Sequence, residues 1–141
     1  MNKQKLLARH FLELANRLIG WKFLLTESGG CYYMETMMTT HAKETIIVSF
    51  IIKEWYILLK VWSPDGKYND NIVRDKLIKL SGENAIANEY GIYSTVLGEK
   101  TGICLNSPIP LDVFEREMDT VIRELMYGMT VAMLEIIRYG N

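Results

Sequence analysis

Two runs, Thr45-Ile46-Ile47-Val48-Ser49-Phe50-Ile51-Ile52 and Trp55-Tyr56-Ile57-Leu58-Leu59-Lys60-Val61-Trp62, stand only Lys53-Glu54 apart. β-Branched and aromatic residues at this density favour extended backbone, so both runs read as strands of an antiparallel sheet. Neither run alternates cleanly between apolar and polar positions, which implies that both faces of this part of the sheet are covered. A helix of the same chain is expected on one face and a partner on the other.

The flanking sequence supplies the remaining elements. Between residues 2 and 19, Leu6, Leu7, His10, Phe11, Leu14 and Leu18 recur at spacings of three and four among Lys3, Lys5, Arg9, Glu13 and Arg17, an amphipathic helix that Gly20 can close. Residues 21–26 read as the first strand of a hairpin, turned by Glu27-Ser28-Gly29-Gly30 into a second strand over 31–38. In that strand Tyr32, Met34, Thr36 and Met38 share the face expected to look inward, and Cys31, Tyr33, Glu35 and Met37 share the other. Ser63-Pro64-Asp65-Gly66 is a turn by composition. A helix should follow, capped by Asn69 or Asp70, burying Ile72, Val73, Leu77 and Leu80 and ended by Gly82.

From Tyr90 to Leu97 the composition returns to strand. Gly98-Glu99-Lys100-Thr101-Gly102 then turns into a last strand over 103–107, which Pro108 and Pro110 are expected to stop. Asp112, with Glu115 three residues on, is placed to cap a final helix of about 27 residues, roughly 40 Å long. Its stripe is Phe114, Met118, Val121, Leu125, Met129, Ala132 and Ile136, and Gly128 within it points to a close contact or a bend. The fold class is therefore α+β in the order α-β-β-β(-β)-α-β-β-α, an antiparallel sheet with the long C-terminal helix packed on it.

With 141 residues, the chain reads as a single domain, 1–141, able to bury about two-thirds of its unfolded surface without disulfides or metal. A net charge of −1 and a pI of about 6.1 argue against a nucleic-acid partner. The basic residues Lys3, Lys5, Arg9, Arg17 and Lys22 read as a solvated face. No apolar run is long enough to span a bilayer; the uncharged stretch 125–134 has only ten residues. Charged residues interrupt each apolar run near the N-terminus, so no secretory signal is expected. Cys31 and Cys104 lack metal-ligand spacing and are expected to be reduced thiols, which places the protein in the cytoplasm.

Catalytic chemistry finds little support. His10 falls on the apolar stripe of the first helix and His41 in a polar loop, without the context that orients a catalytic imidazole. Glu115/Asp119 and Glu117/Asp119 fit helix-terminus electrostatics. Neither glycine cluster has the strand and helix context of a phosphate loop. No enzyme activity, cofactor or metal is expected.

The methionines are the outlying feature: eight in the chain, three of them, Met34, Met37 and Met38, in one strand. Two readings stand. They fill a two-sided core, or they form an adaptable apolar surface, since the unbranched thioether repacks around different partners. The second reading assigns Met34, Met37, Met38, Trp55 and Trp62 to a partner-binding surface.

Three segments carry a family resemblance: Ile86-Ala87-Asn88-Glu89-Tyr90-Gly91-Ile92-Tyr93, Gly98-Glu99-Lys100-Thr101-Gly102-Ile103-Cys104-Leu105, and Pro108-Ile109-Pro110-Leu111-Asp112 before the long helix. With the element order, they resemble the type III secretion chaperone-like fold and the YbjN-like bacterial family. The resemblance implies a non-enzymatic homodimer that holds a partner polypeptide, a secreted effector or regulatory target, on apolar sheet and helix surface. An immunity-type inhibitor would share these features. A small-molecule binder or enzyme would instead need a pocket between the sheet and the terminal helix.

Overall fold

The structure is a computed structural model that describes residues 2–65, 69–97 and 102–139. Strands β1 (Leu24–Ser28), β2 (Cys31–Thr39), β3 (Thr45–Ile52), β4 (Tyr56–Ser63), β5 (Tyr93–Leu97) and β6 (Gly102–Pro110) form one antiparallel sheet in the order β1-β2-β3-β4-β6-β5. Helices α1 (Lys3–Ile19), α2 (Asp70–Glu83) and α3 (Ala85–Tyr90) precede a C-terminal helical run that begins at Leu111 and ends at Tyr139. The α+β class and the C-terminal helix packed on the sheet are as expected.

β3 and β4 coincide almost residue for residue with the two apolar runs. β1 starts later than expected, at Leu24, because Trp21 and Phe23 turn toward the core: the Phe23 ring lies 5.0 Å from that of Phe11. The β1–β2 connection is a two-residue turn with positive φ at both Gly29 (57°) and Gly30 (77°). That is the type I′ geometry that suits strand twist and that glycine adopts without steric cost. It locks Ser28 opposite Cys31, and that pairing determines which β2 side chains face inward.

One face of the sheet presents Met34, Ile46, Val48, Phe50, Ile52, Ile57, Leu59, Val61, Ile103, Leu105 and Ile109, all fully buried beneath the helices. At its centre Phe11 of α1, Phe50 of β3 and Phe114 of the C-terminal run lie within 4.3 to 6.0 Å of one another. The space between sheet and terminal helix is thus filled by rings and thioethers, with Met126, Met129 and Met133 fully buried there. α1 approaches closely because Ala8 and Ala15 sit on its buried side. Its stripe is rotated from the expected one, so His10 and Leu6 are exposed. Asn2 caps α1, its side chain accepting from the Lys5 backbone N–H, and Gly20 closes it at φ 71°.

α2 begins on Asn69, whose side chain accepts from the Asn71 and Ile72 amides. It runs past Gly82 to Glu83, and Asn84 then serves twice: its amide closes α2 while its side chain accepts from Ile86 and Ala87 to start α3. The sequence reading places no helix there, since a six-residue element carries too little periodicity to register. Replacing this buried Asn84 with alanine is expected to cost about 1–2 kcal/mol, because two amides lose their acceptor. Chemical denaturation checks this, and α3 should lose hydrogen-exchange protection first.

Two further expectations are corrected. β6 continues through Pro108 and Pro110 instead of stopping before them. β5 pairs only with residues 102–106, so one edge of β6 is free beyond Asn106, where a missing N–H costs no ladder bond. Asp112 is not the cap of the final helix. The strand runs directly into Leu111, Pro110 occupies the cap position, and the Leu111 N–H donates to the Trp55 carbonyl at 3.0 Å.

The final helix is not uniform either. α4 (Leu111–Arg116) breaks at Glu117, and α5 (Met118–Thr120) leads into a π-helical turn, Val121–Met126, before α6 (Tyr127–Tyr139). Val121, Leu125, Met129, Met133 and Ile137 are buried at intervals of four. Four residues overshoot a full α-helical turn, and the wider π turn offsets that drift so the row stays over the sheet. Gly128 marks the close contact that the sequence suggests, since a Cβ there would lie 3.2 Å from Leu80 Cδ2 of α2. Lys76 of α2 pairs with Glu135 of α6 nearby. Gly66 and residues 98–101 of the expected turns lie outside the described residues.

Candidate functional site

Among the described residues, no helix covers the opposite face of the sheet. Strand register arranges its side chains into three rows. Met37, Ile47, Trp62 and Cys104 form one, and Tyr33, Ile51, Leu58 and Pro108 another. Between them run Glu35, Ser49, Lys60 and Asn106, flanked by Leu24 on β1 and Tyr93 on β5. Two apolar rows thus bracket one polar row. A water-facing antiparallel face normally carries polar residues throughout. Here Ile47, Ile51, Leu58 and Trp62 are only half-buried, and Met37 is 66% exposed.

Small residues make the face concave. Ser49 and Cys104 lie low between larger neighbours, forming a trough of about 340 Å³ lined by Tyr33, Glu35, Ser49, Ile51, Lys60, Trp62 and Cys104. The Ser49 hydroxyl donates to Glu35 Oε2 at 2.8 Å, drawing that carboxylate toward the middle of the face. Asn106 is committed to the neighbouring edge strand, donating to the Tyr93 carbonyl and to Thr95 Oγ1. Lys60 lies across β3 from Glu35, and among the described residues no carboxylate forms an ion pair with it.

Cys104 contacts Asn106 Oδ1, and burial is the main influence on its thiol, pushing the pKa up; Lys60 and hydrogen bonds oppose this only in part. A thiol so placed stays protonated near neutrality and is a poor nucleophile. Both cysteines are free. β3 and β4 separate β2 from β6, and Cys104 lies in the row of Met37, six residues along β2 from Cys31, so the two thiols stand roughly 24 Å apart, well beyond disulfide reach.

Of the five residues assigned to a partner surface from sequence, the structure brings together Met37 and Trp62 alone. Met34 is fully buried beside Phe50, and Met38 packs against the core from the same inward face, so these two form no open surface. Trp55 is 77% exposed but lies in the β3–β4 turn, beside Lys3, Glu54 and Leu111. The four core-facing methionines of the C-terminal run, Met118, Met126, Met129 and Met133, are likewise buried. Tyr33, Ile51, Leu58 and the Glu35–Ser49–Lys60 row escaped sequence reasoning. Alternation along β2 separates Tyr33, Glu35 and Met37 from Met34, but only the register shows which β3 and β4 residues stand beside them.

Among the described residues no group of three His, Cys, Asp or Glu side chains could hold a metal ion, and no helix is long and apolar enough to cross a membrane. His10 and His41 are exposed and lie away from the trough. No family model, curated protein or solved structure matches the chain.

Proposed function

We propose that this chain is a non-enzymatic protein-binding module of the cytoplasm that holds another polypeptide on the uncovered face of its sheet. One observation carries the reading: the described helices lie on one side, while Ile47 with Trp62 and Tyr33 with Ile51 and Leu58 form two half-exposed apolar rows on the other. Exposed apolar side chains gathered on one face in this way are characteristic of interaction sites. The occupant's chemistry follows from the rows. It offers apolar side chains to the outer two and one charge of each sign to Glu35 and Lys60.

The face offers little to a reaction, because Ser49 and Asn106 spend their polar groups within the sheet and the Cys104 thiol is held protonated. The resemblance to secretion chaperones and YbjN-like proteins supports the same reading, and the two separated thiols fit a reducing compartment.

Site-specific photocrosslinking tests it. Ile51, at the centre of the face, is replaced by a benzophenone amino acid and the protein is irradiated in cells, with exposed Arg74 of α2 as the control position. A discrete polypeptide adduct from position 51 and none from position 74 is the expected result. Absence of any adduct at position 51 would overturn the reading.

A further inference from the structure

We propose that the polypeptide held on this face is a second copy of the same chain, docked sheet against sheet about a two-fold axis that runs parallel to the strands over Ser49. The inference rests on the protein-binding reading above and names the partner of that surface. Its basis is the register. Glu35, Ser49 and Lys60 are consecutive cross-strand neighbours, so the two opposite charges flank Ser49 on either side at one strand spacing each.

A two-fold axis lying along β3 exchanges the two sides of the face while keeping position along the strands. It sets Glu35 of one copy over Lys60 of the other, twice, with Ser49 meeting Ser49 between them. The same operation places Met37 over Trp62 and Ile47 over Ile47 in one apolar row. In the other it places Tyr33 over Leu58 and Ile51 over Ile51. An axis in the same plane but perpendicular to the strands would instead stack Glu35 on Glu35 and Lys60 on Lys60. The charges therefore select one of the two in-plane arrangements.

Three physical features agree with that choice. Lys60 has no ion-pair partner among the described residues of its own chain, and the second copy supplies one. The trough over Ser49 leaves room for long side chains to cross between sheets about 10 Å apart, and twist would set the two sheets near −30°. The eight-residue strands β3 and β4, within a six-stranded sheet, outline a face of roughly 600 Å² in projection per copy. Two such faces reach the lower end of the range for stable interfaces.

Charge exchange tests the arrangement. Wild-type protein is expected to sediment as a dimer. Lys60→Glu and Glu35→Lys are each expected to weaken it by roughly 100-fold or more, because each replaces two attractive contacts by two like-charge contacts. Mixing the two single variants should restore a dimer containing one copy of each, since every facing pair is then again opposite in sign. Far-ultraviolet circular dichroism confirms that the variants are folded. A monomeric wild type, single variants that remain dimeric, or a mixture that fails to form the heterodimer would each overturn the proposal. The crosslink at position 51 separates the two levels. An adduct of another mass than twice the chain overturns the second-copy inference and leaves the protein-binding reading standing, whereas no adduct overturns both.

Discussion

Truncating Phe50 to alanine is expected to remove about 3–5 kcal/mol of unfolding free energy, one of the largest losses available to a single substitution in this protein. Phe50 is fully buried, and its ring stands 4.3 Å from Phe11, 5.9 Å from Phe114 and 6.1 Å from Phe23. It therefore joins β3 to α1, to the start of the C-terminal run and to the segment before β1. A cavity there cannot be closed by moving one neighbour, because its walls belong to four separate parts of the fold and protein interiors are already close-packed. For a domain of this size the loss corresponds to a fall in Tm of roughly 10–20 °C. A double-mutant cycle of Phe11→Ala with Phe50→Ala should show coupling of about 0.5–1.5 kcal/mol beyond the two single effects. A cost below about 1 kcal/mol for Phe50→Ala would show that the aromatic cluster is not the centre of the core.

Met34→Ser and Met37→Ser are expected to differ sharply although they lie three residues apart on one strand. Met34 is fully buried between Leu25 and Phe50 in the register, so serine there leaves a cavity and places a hydroxyl among apolar neighbours. A loss of about 3–5 kcal/mol is expected. Met37 is 66% exposed on the open face, and its replacement should change the stability of the dilute chain by less than about 0.5 kcal/mol. Urea titration of the two variants side by side decides the matter. Equal losses would mean that both faces of β2 are core, the two-sided arrangement that the methionine content by itself allows.

The contrast between these residues shows how far local sequence carries. β3, β4 and the position of Gly29-Gly30 follow from short-range chemistry, since β-branched runs favour extended backbone and paired glycines reach positive φ without strain. The same holds for the caps at Asn2, Gly20 and Asn69, where one side chain or one missing Cβ satisfies a helix end. Asp112 shows the limit. Its sequence context fits a cap, yet the helix starts earlier because a distant backbone carbonyl, that of Trp55, takes the first free N–H. His10 shows it again, since helical spacing allows it on the apolar stripe and only packing against the sheet rotates it to solvent.

The surface proposed for binding lies on the far side of that limit. The apolar runs of β3 and β4 lead to the expectation of cover on both faces, and strand alternation by itself sends Met37 and Met34 to opposite sides. Which face the helices take, and which side chains stand together on the other, depends on pairing between strands far apart in sequence. Lys60 and Glu35 are separated by 25 residues in the chain, yet they flank Ser49 because the β2–β3 ladder pairs Glu35 with Ser49 and the β3–β4 ladder pairs Ser49 with Lys60. Composition and periodicity determined the α+β class and the need for a covered sheet. Tertiary structure decided the covered side, because a cross-strand neighbour is defined by backbone hydrogen bonds between strands, and no local pattern within either strand encodes the other's register.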